Sequence, residues 1–256
     1  MRPLVLSIIL LVRLVGACQD AERTGDTTAE TADTAAAHVP GAGDEDLPSR
    51  SAETARDQGS HPQEVMDFVG IASGDQVADI VAGDGYYTYL LSERVGTTGR
   101  VYVQGYSPGL EARLERGDLS QAENVVVVDS LSQLPTGALD AVILVRAYHL
   151  FEDSQVLLSE LDRALKPGGT VGVEELRLGK QYGHDMETHR MGDQTVVDQF
   201  REAGFEFLET SSTLRNPEDD HTDFWEGRRH LADRMLLKFA KPGEPAPAVP
   251  PTARRS

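Results

Sequence analysis

The sequence predicts an α/β protein built on a doubly wound, mostly parallel sheet. Three observations lead to this prediction: a strand, a glycine turn and a helix follow one another in residues 77–95, short apolar β-branched runs recur, and helical patterns separate them. In the first unit a short apolar run leads to Gly83 and Gly85, and Tyr87, Leu90 and Val95 then lie on one helical face. In sheets of this kind, ligands bind beyond the carboxyl ends of the strands.

The remaining elements are predicted in chain order. A short helix over 62–68 has proline in its first turn, a strand covers 101–104 and a helix covers 108–116. The β-branched run at 124–128 is typical of a central parallel strand, and residues 139–145 predict a fourth strand.

The second half continues the alternation. A helix starting at Asp153 carries apolar residues on one face and ends at the Pro-Gly-Gly of 167–169; those apolar residues are Val156, Leu157, Leu161, Ala164 and Leu165. A fifth strand covers 171–176, a helix covers 192–203, and two alternating patterns, one from Phe205 and one from Met235, predict the last strands.

Composition narrows the choice of partners. The chain has 42 acidic and 24 basic residues, a formal charge of −18, which argues against nucleic acid or an anionic membrane surface as partners. Its one cysteine rules out an intrachain disulfide and a two-cysteine zinc site.

Residues 1–18 have the pattern of an export signal. A basic start is followed by an apolar run too short to span a bilayer, and then by Gly16, Ala17 and Cys18. The end of this segment resembles the lipobox of bacterial lipoproteins, in which the cysteine is lipidated, although Arg13 interrupts the apolar run. The alternative is an ordinary signal peptide with an incidental cysteine. We therefore expect a lipid-anchored, extracytoplasmic protein, in the periplasm or at the cell surface.

Two segments predict disorder. Residues 19–60 are acidic, contain Leu47 as their one leucine and lack aromatic residues, so they indicate a flexible tether. Residues 241–256 form a Pro-rich tail. The predicted folded domain therefore covers residues 61–240.

Four motifs in this domain resemble the class I S-adenosylmethionine-dependent methyltransferases. They are the glycine segment 79–85, Asp129 after the third strand, residues 147–153 after the fourth, and residues 165–169 before the fifth. Residues 82–91, 105–108 and 214–221 resemble, more narrowly, a group of exported predicted methyltransferases. The likeness implies a Rossmann-like sheet of seven strands, with residues 235–242 in an antiparallel last strand.

The resemblance also implies a site for S-adenosylmethionine. Its methionine carboxylate would lie near the N–H groups of the Gly83-Asp84-Gly85 loop, at a helix start that favours anions. Asp79 would meet the amino group, and Asp129 would accept a hydrogen bond from the adenine amine. The alternative for Asp129 is a turn residue at the end of a strand.

Two positions depart from the family pattern. Val81 replaces the first glycine, and Gly105 stands where an acidic residue normally binds the ribose hydroxyls. Losing a charge-assisted hydrogen bond is worth roughly 1.5–3 kcal/mol. Gln104 is the candidate for a neutral replacement.

Candidate residues for the acceptor face follow the glycine loop and the fourth strand. They are Tyr86, Arg146, Tyr148 and His149, of which His149 is the candidate general base, with a capping or packing role as its alternative. The sequence indicates no metal site: His184, His189 and His221 are interpreted as solvated loop residues, and Asp219, Asp220 and Asp223 as a solvated acidic turn.

Two functions remain open on this evidence. The first is a membrane-tethered methyltransferase acting on an unknown small acceptor. The second is a non-catalytic binding module that keeps the fold with a degenerate cofactor site. The retained Asp79, Gly83, Gly85 and Asp129 favour the enzyme, whereas an extracytoplasmic location favours the binding module. The sequence leaves the oligomeric state open.

Overall fold

A computed structural model of the protein describes residues 50–105, 107–223 and 229–243. The first half of this region contains four helices and four strands. Their bounds are α1 Arg50–Ser60, α2 Pro62–Val69, β1 Gln76–Ile80, α3 Tyr86–Val95, β2 Arg100–Gln104, α4 Pro108–Arg116, β3 Val125–Val128 and β4 Leu139–Val145.

The second half carries two further helices and five strands. They are α5 Ser154–Ala164, β5 Leu165–Arg177, β6 His184–Asp185, β7 Arg190–Met191, α6 Asp193–Glu202, β8 Glu206–Ser211 and β9 Arg234–Ala240. Asp153 caps α5, because its carboxylate accepts hydrogen bonds from the N–H groups of Gln155 and Val156.

The described strands form one sheet whose central part has the order β3-β2-β1-β4-β5, with every neighbouring pair parallel. β9 then pairs antiparallel with β5, and β8 pairs antiparallel with β9. The short β6–β7 hairpin joins the carboxyl end of β5 through Leu176 and Arg177. The predicted doubly wound sheet and its antiparallel last strand are thus confirmed, with the hairpin as an addition.

Helices cover both faces of the sheet and create two apolar cores. On one face α2 and α3 pack on the sheet through residues such as Met66 and Leu91. On the other face α5 and α6 contribute Leu161 and Phe200, and Phe200 stacks on Phe239 of β9 with ring centroids 3.9 Å apart. Because helices cover both faces of the sheet, its strands are held in place. The strand ends at which the candidate site lies are therefore fixed as well.

Three local predictions need correction. The run at 124–128 is not a central strand: β3 lies at the edge of the sheet, and Val127 is 52% exposed. Val156 was predicted on the buried face of α5 but is 49% exposed. Leu165 does not continue that helix, because β5 begins there and pairs with Leu139 of β4.

The largest correction concerns the predicted disordered segment 19–60. Its last eleven residues form α1, which is part of the folded domain. Glu53 makes an ion pair with Arg113 in which both side chains are 2% exposed, and the carbonyl of Gly59 accepts a hydrogen bond from Arg234. The domain therefore starts before residue 61.

The predicted signal segment 1–18, residues 19–49 of the tether and residues 244–256 of the tail lie outside the described residues. Within the described part of the chain, no helix combines the length and apolar character needed to cross a bilayer.

Candidate functional site

The turn after β1 presents backbone toward the carboxyl edge of the sheet. Gly83 and Gly85 have φ of 60° and 79°, a conformation that favours glycine. A Cβ on Gly83 would meet nothing within 4 Å, so the space in front of this residue is open. A Cβ on Gly85 would lie 2.9 Å from Leu110 Cδ1, so this glycine allows α4 to approach closely.

Some N–H groups of this turn are already bonded and others are available. Those of Ala82, Gly85 and Tyr86 donate within the protein, to Gln104, Ala82 and Asp84 respectively. Among the described residues, the N–H groups of Gly83 and Asp84 have no partner. Two adjacent free N–H groups at the start of α3 are suited to an anion.

Val81 holds a conformation in which β-branched residues are outliers. Its φ is 56°, and its N–H donates to Gln104 Oε1 at 3.3 Å. The Gln104 carbonyl also accepts from the N–H of Ala82 at 3.1 Å, so this buried residue supports the glycine turn from β2. The turn keeps a glycine-like backbone at Val81 despite the valine side chain.

Gly105 cannot easily be replaced by the missing carboxylate. Its φ is 103°, and a Cβ there would lie 3.0 Å from Val81 Cα. The departures at positions 81 and 105 are therefore in direct contact. They reshape the place where the ribose would bind.

Asp79 is a buried carboxylate with few partners. It is 2% exposed, and Thr88 Oγ1 donates to its Oδ2 at 2.7 Å. Burial raises the pKa of Asp79 to about 7, and the bond from Thr88 only partly opposes this. A cationic ligand group would supply the missing partner.

Helix α1 covers the start of α3. Arg56 pairs with Asp84 at 2.8 Å and lies over the Tyr86 ring, 3.9 Å from its centroid. The Tyr86 hydroxyl donates to Asp57 Oδ1 at 2.6 Å. Tyr86, predicted on the acceptor face, is 1% exposed and anchors α1 instead.

Arg146 follows β4 and faces the glycine turn across a small cavity. The cavity, about 60 Å³ in volume, is lined by the turn residues 81–84 and by Arg56, Asp79, Tyr87, Val145 and Arg146. Arg146 has φ of 52°, another strained backbone at this edge. The structure thus brings Asp79, Gly83 and Asp84, predicted to bind the cofactor, and Arg146, predicted on the acceptor face, around one cavity.

His149 belongs to a buried chain of hydrogen bonds. Its Nδ1 lies 2.8 Å from Glu175 Oε2, and its Nε2 lies 3.0 Å from His189 Nδ1. The backbone N–H of His149 also donates to Glu175 Oε1. Glu175 is fully buried, so the carboxylate fixes the orientation and tautomer of the imidazole.

Two other predicted residues have different surroundings. Tyr148 is a core residue rather than part of the acceptor face: its ring packs on Phe200 and its hydroxyl donates to Gln199 at 2.9 Å. Burial raises the pKa of Tyr148 to about 12. Asp129 is exposed at the end of β3 and exchanges hydrogen bonds with Gln133, a turn arrangement that leaves its adenine role untested.

Sequence reasoning missed Glu175, His189 and the polar residues of α1. The adjacent carboxylates Glu174 and Glu175 interrupt an otherwise apolar strand, and this signal could have identified them. His189 was interpreted as a solvated loop residue, yet it is half-buried against His149. Within the described residues, no group of three or more potential ligands could hold a metal ion.

A known protein family matches the part of the chain that holds this site. Residues 78–173 match the family model described as "Methyltransferase domain". Together with the sheet topology, this match shows that residues 78–173 are similar to a methyltransferase domain and lie in a sheet with the class I fold. The cofactor that such a domain implies is S-adenosylmethionine.

Individual relatives agree with this class. An arsenite methyltransferase from Halobacterium salinarum is 25% identical over 196 residues, covering 70% of this chain and 49% of the relative. A demethylmenaquinone methyltransferase from Staphylococcus aureus is 36% identical over 112 residues, covering 42% and 45%. The chain thus spans about half the length of these curated relatives. A solved SAM-dependent methyltransferase from Aquifex aeolicus matches with a TM-score of 0.59 and 18% identity, covering 77% of this chain and 100% of the other.

The residues present fit the amino-acid end of S-adenosylmethionine. Asp79 lacks a cationic partner, Gly83 leaves open space, and two N–H groups await an anion, which together suit an amino-acid group. The ribose end departs from the family pattern, because Gly105 has no carboxylate, its φ of 103° disfavours a side chain, and a Cβ there would be in tight contact with Val81 Cα at 3.0 Å.

Proposed function

We propose that the protein is an S-adenosylmethionine-dependent methyltransferase that acts on a small molecule. The observation that carries this proposal is the buried Asp79 beside the free N–H groups of Gly83 and Asp84. A buried carboxylate whose pKa is raised from 3.8 to about 7 makes the ligand-free fold lose stability as pH rises between these two values, and a bound ammonium group would relieve the penalty.

The second part of the proposal concerns the acceptor's proton. S-adenosylmethionine supplies an activated methyl group when bound, so the protein has to orient the acceptor and, where needed, remove a proton. His149 is the proposed general base, acting together with His189. Glu175 holds the Nδ1–H of His149 and stabilises the imidazolium that forms when the proton arrives.

The acceptor we propose carries an ionisable O–H or N–H group. The relatives' names include arsenite and demethylmenaquinone methyltransferases. Soft ions such as arsenite favour thiolate ligands, and this chain has a single cysteine, Cys18, far in sequence from the site. The His149–Glu175 pair instead suits a phenol-type hydroxyl, which must lose a proton.

Calorimetric titration of the full chain with S-adenosylmethionine and S-adenosylhomocysteine tests the cofactor directly. We expect dissociation constants in the micromolar to submillimolar range, as for other enzyme substrates. Absence of binding at 1 mM would refute the proposal.

Turnover can be followed as S-adenosylhomocysteine released in the presence of a hydroquinone, a catechol or arsenite. His149→Gln should lower the rate by about 10²-fold or more and leave cofactor binding unchanged. Equal rates for the variant and the wild type would remove His149 from the mechanism.

The alternative is a non-catalytic binding module. Two observations favour it: Gly105 offers no group to the ribose, and the Arg56–Asp84 ion pair lies across the glycine turn. This alternative predicts no turnover with any acceptor. It also predicts weak binding, or none, of S-adenosylmethionine.

We also propose that the protein is extracytoplasmic and anchored to a membrane through lipid on Cys18. The support is the pattern of residues 1–18, which lie outside the described residues. Wild-type protein expressed in bacteria should partition into a detergent phase and carry acyl chains on its N-terminal fragment in mass spectrometry. Cys18→Ser should lose both properties, and a soluble wild-type protein cut elsewhere would contradict the proposal.

A further inference from the structure

Arg146 is held at the carboxyl end of β4 in a backbone conformation that few residues adopt. Its φ is 52°, and its N–H donates to the carbonyl of Glu174 at 2.7 Å. Backbone strain of this kind persists where the surrounding structure fixes it, and it is common at ligand sites. The side chain lines the same cavity as Asp79 and the glycine turn.

Two other arginines near this cavity are already paired. Arg56 binds Asp84 and lies over the Tyr86 ring. Arg234 binds Glu174 in a buried ion pair and donates to the carbonyls of Gly59 and His230. The guanidinium of Arg146, by contrast, makes no hydrogen bond or close ion pair among the described residues; burial lowers its pKa, and the charge of Glu174 opposes this.

Tyr87 provides a second unpaired donor in the same cavity. Its side chain is 5% exposed, and among the described residues its hydroxyl has no hydrogen-bond partner. Burial raises the pKa of Tyr87 well above its usual value, while the charge of Arg146 lowers it, so the two groups lie close enough to interact. A buried hydroxyl without a hydrogen-bond partner destabilises the fold unless a ligand or water satisfies it.

The cavity therefore presents a carboxylate, the guanidinium of Arg146 and the unsatisfied hydroxyl of Tyr87 to one small volume. Asp79 suits an ammonium group, whereas Arg146 and Tyr87 suit a carboxylate. These are the two charged groups of an α-amino acid. A volume of about 60 Å³ is far below the roughly 300–1,000 Å³ of sites that enclose whole ligands, so it suits a head group alone.

We infer that Arg146 and Tyr87 bind the carboxylate of the cofactor's methionine moiety, next to the N–H groups of Gly83 and Asp84. This inference rests on the proposed function, because it takes S-adenosylmethionine as the ligand. It assigns cofactor binding to Arg146, which the sequence placed on the acceptor face. It also explains why an unpaired guanidinium is retained beside two other arginines.

The test compares two ligands that differ at the head group. S-adenosylhomocysteine carries the amino-acid group, whereas 5′-methylthioadenosine has the same thioether nucleoside without it. In calorimetric titrations of the full chain, Arg146→Gln should weaken S-adenosylhomocysteine about 10- to 100-fold, and Tyr87→Phe about 3- to 10-fold. Affinity for 5′-methylthioadenosine should change less than about twofold in both variants.

Arg100→Gln is the matched control, since Arg100 is exposed at the start of β2, the opposite end of the strand from the site. It should bind both ligands like the wild type. Melting curves of all variants check folding, and Tyr87→Phe keeps the test valid if Arg146→Gln is unstable.

Unchanged S-adenosylhomocysteine binding in folded Arg146→Gln and Tyr87→Phe would overturn the inference and leave the proposed function standing. Equal loss for both ligands would also overturn it, because the effect would then not depend on the carboxylate. Wild-type protein that binds neither ligand would instead refute the proposed function, and the inference with it.

Discussion

Asp79 and Asp233 are both buried carboxylates, and their surroundings could hardly differ more. Asp79 is 2% exposed and receives one side-chain hydrogen bond, from Thr88. Asp233 is fully buried and accepts from Arg177, Arg215 and His221 at 2.7–3.2 Å. Burial raises the pKa of Asp79 to about 7, whereas at Asp233 the bonds from Arg215 and His221 outweigh burial and hold the pKa well below its usual range.

This difference indicates that the charge of Asp233 stabilises the fold, whereas the charge of Asp79 belongs to a candidate ligand site. The loops around Asp233 are held by ion pairs that the chain itself supplies, including the buried Arg190–Asp219 pair. The sequence context of Asp219 suggested a solvated acidic turn. Its buried ion pair with Arg190 shows that this interpretation is wrong. Around Asp79 the described residues supply one side-chain hydrogen bond, from Thr88, and the charge of Arg56 opposes the effect of burial only in part. Perturbed and uncompensated groups of this kind are typical of functional sites.

The largest expected effect is on the structural side of this comparison. Asp233→Asn leaves the nearby guanidiniums without their shared carboxylate, so we expect the free energy of unfolding at pH 7 to fall by about 3 kcal/mol. Urea denaturation measures this. Asp129→Asn, at an exposed carboxylate, is the control and should change stability by less than about 0.5 kcal/mol.

The pH dependence of the stability of Asp233→Asn provides a second test. The pKa of Asp233 is lower in the folded state than in the unfolded state. Its contribution to the free energy of unfolding is therefore present above the unfolded pKa of about 4 and disappears as pH falls through the folded pKa. The difference between wild type and Asp233→Asn should therefore narrow only under strongly acidic conditions. A constant difference down to pH 2 would show that packing, not charge, stabilises this region.

Asp79→Asn should change the free energy of unfolding in the opposite direction from Asp233→Asn. A shift from 3.8 to about 7 means that the wild type loses stability as pH rises between these values, by up to about 4 kcal/mol. At pH 3 both proteins are neutral at this position in the folded and the unfolded state, and they should be similarly stable. At pH 8.5 we expect the variant to be more stable by about 2 kcal/mol, since some of the charge penalty is relieved by solvent.

Saturating S-adenosylhomocysteine sharpens this result. Its ammonium group would pair with Asp79 in the wild type, so the advantage of the variant at pH 8.5 should shrink or reverse. A destabilised Asp79→Asn at pH 8.5 without ligand would mean that Asp79 is structural, like Asp233, and the comparison would fail.

The sequence predicted the fold well because the sheet and its helices carry apolar periodicity. It missed α1 for a physical reason: the described contacts that hold this helix are largely polar, such as Glu53–Arg113 and Asp57–Tyr86, and leave no apolar stripe to detect. Asp79, the glycines and His149 were found from their motif. The partners of His149 are Glu175 and His189, which lie 26 and 40 residues away in the sequence. Only the folded β5 and the hairpin after it bring the three residues together.

The smallest expected effect concerns the strain at Val81. If Val81 lay within a strand, its replacement by glycine would be expected to lower stability. The structure reverses this expectation, because Val81 has φ of 56° and lies beyond the last residue of β1. A left-handed backbone destabilises residues with a Cβ by roughly 1–2 kcal/mol, and glycine is exempt.

Val81→Gly and Val81→Ala form a matched pair that isolates this strain. Both remove the branched side chain and its packing, and only glycine also relieves the backbone. Val81→Gly should therefore be more stable than Val81→Ala by about 1 kcal/mol in urea denaturation, the reverse of the usual order of these residues in a strand. The same order of stability should persist at pH 5 and pH 8.5, since no charge changes, unlike the effects at Asp79 and Asp233. If alanine proves the more stable, the turn adjusts its backbone freely, and the left-handed conformation at Val81 is not imposed by the site.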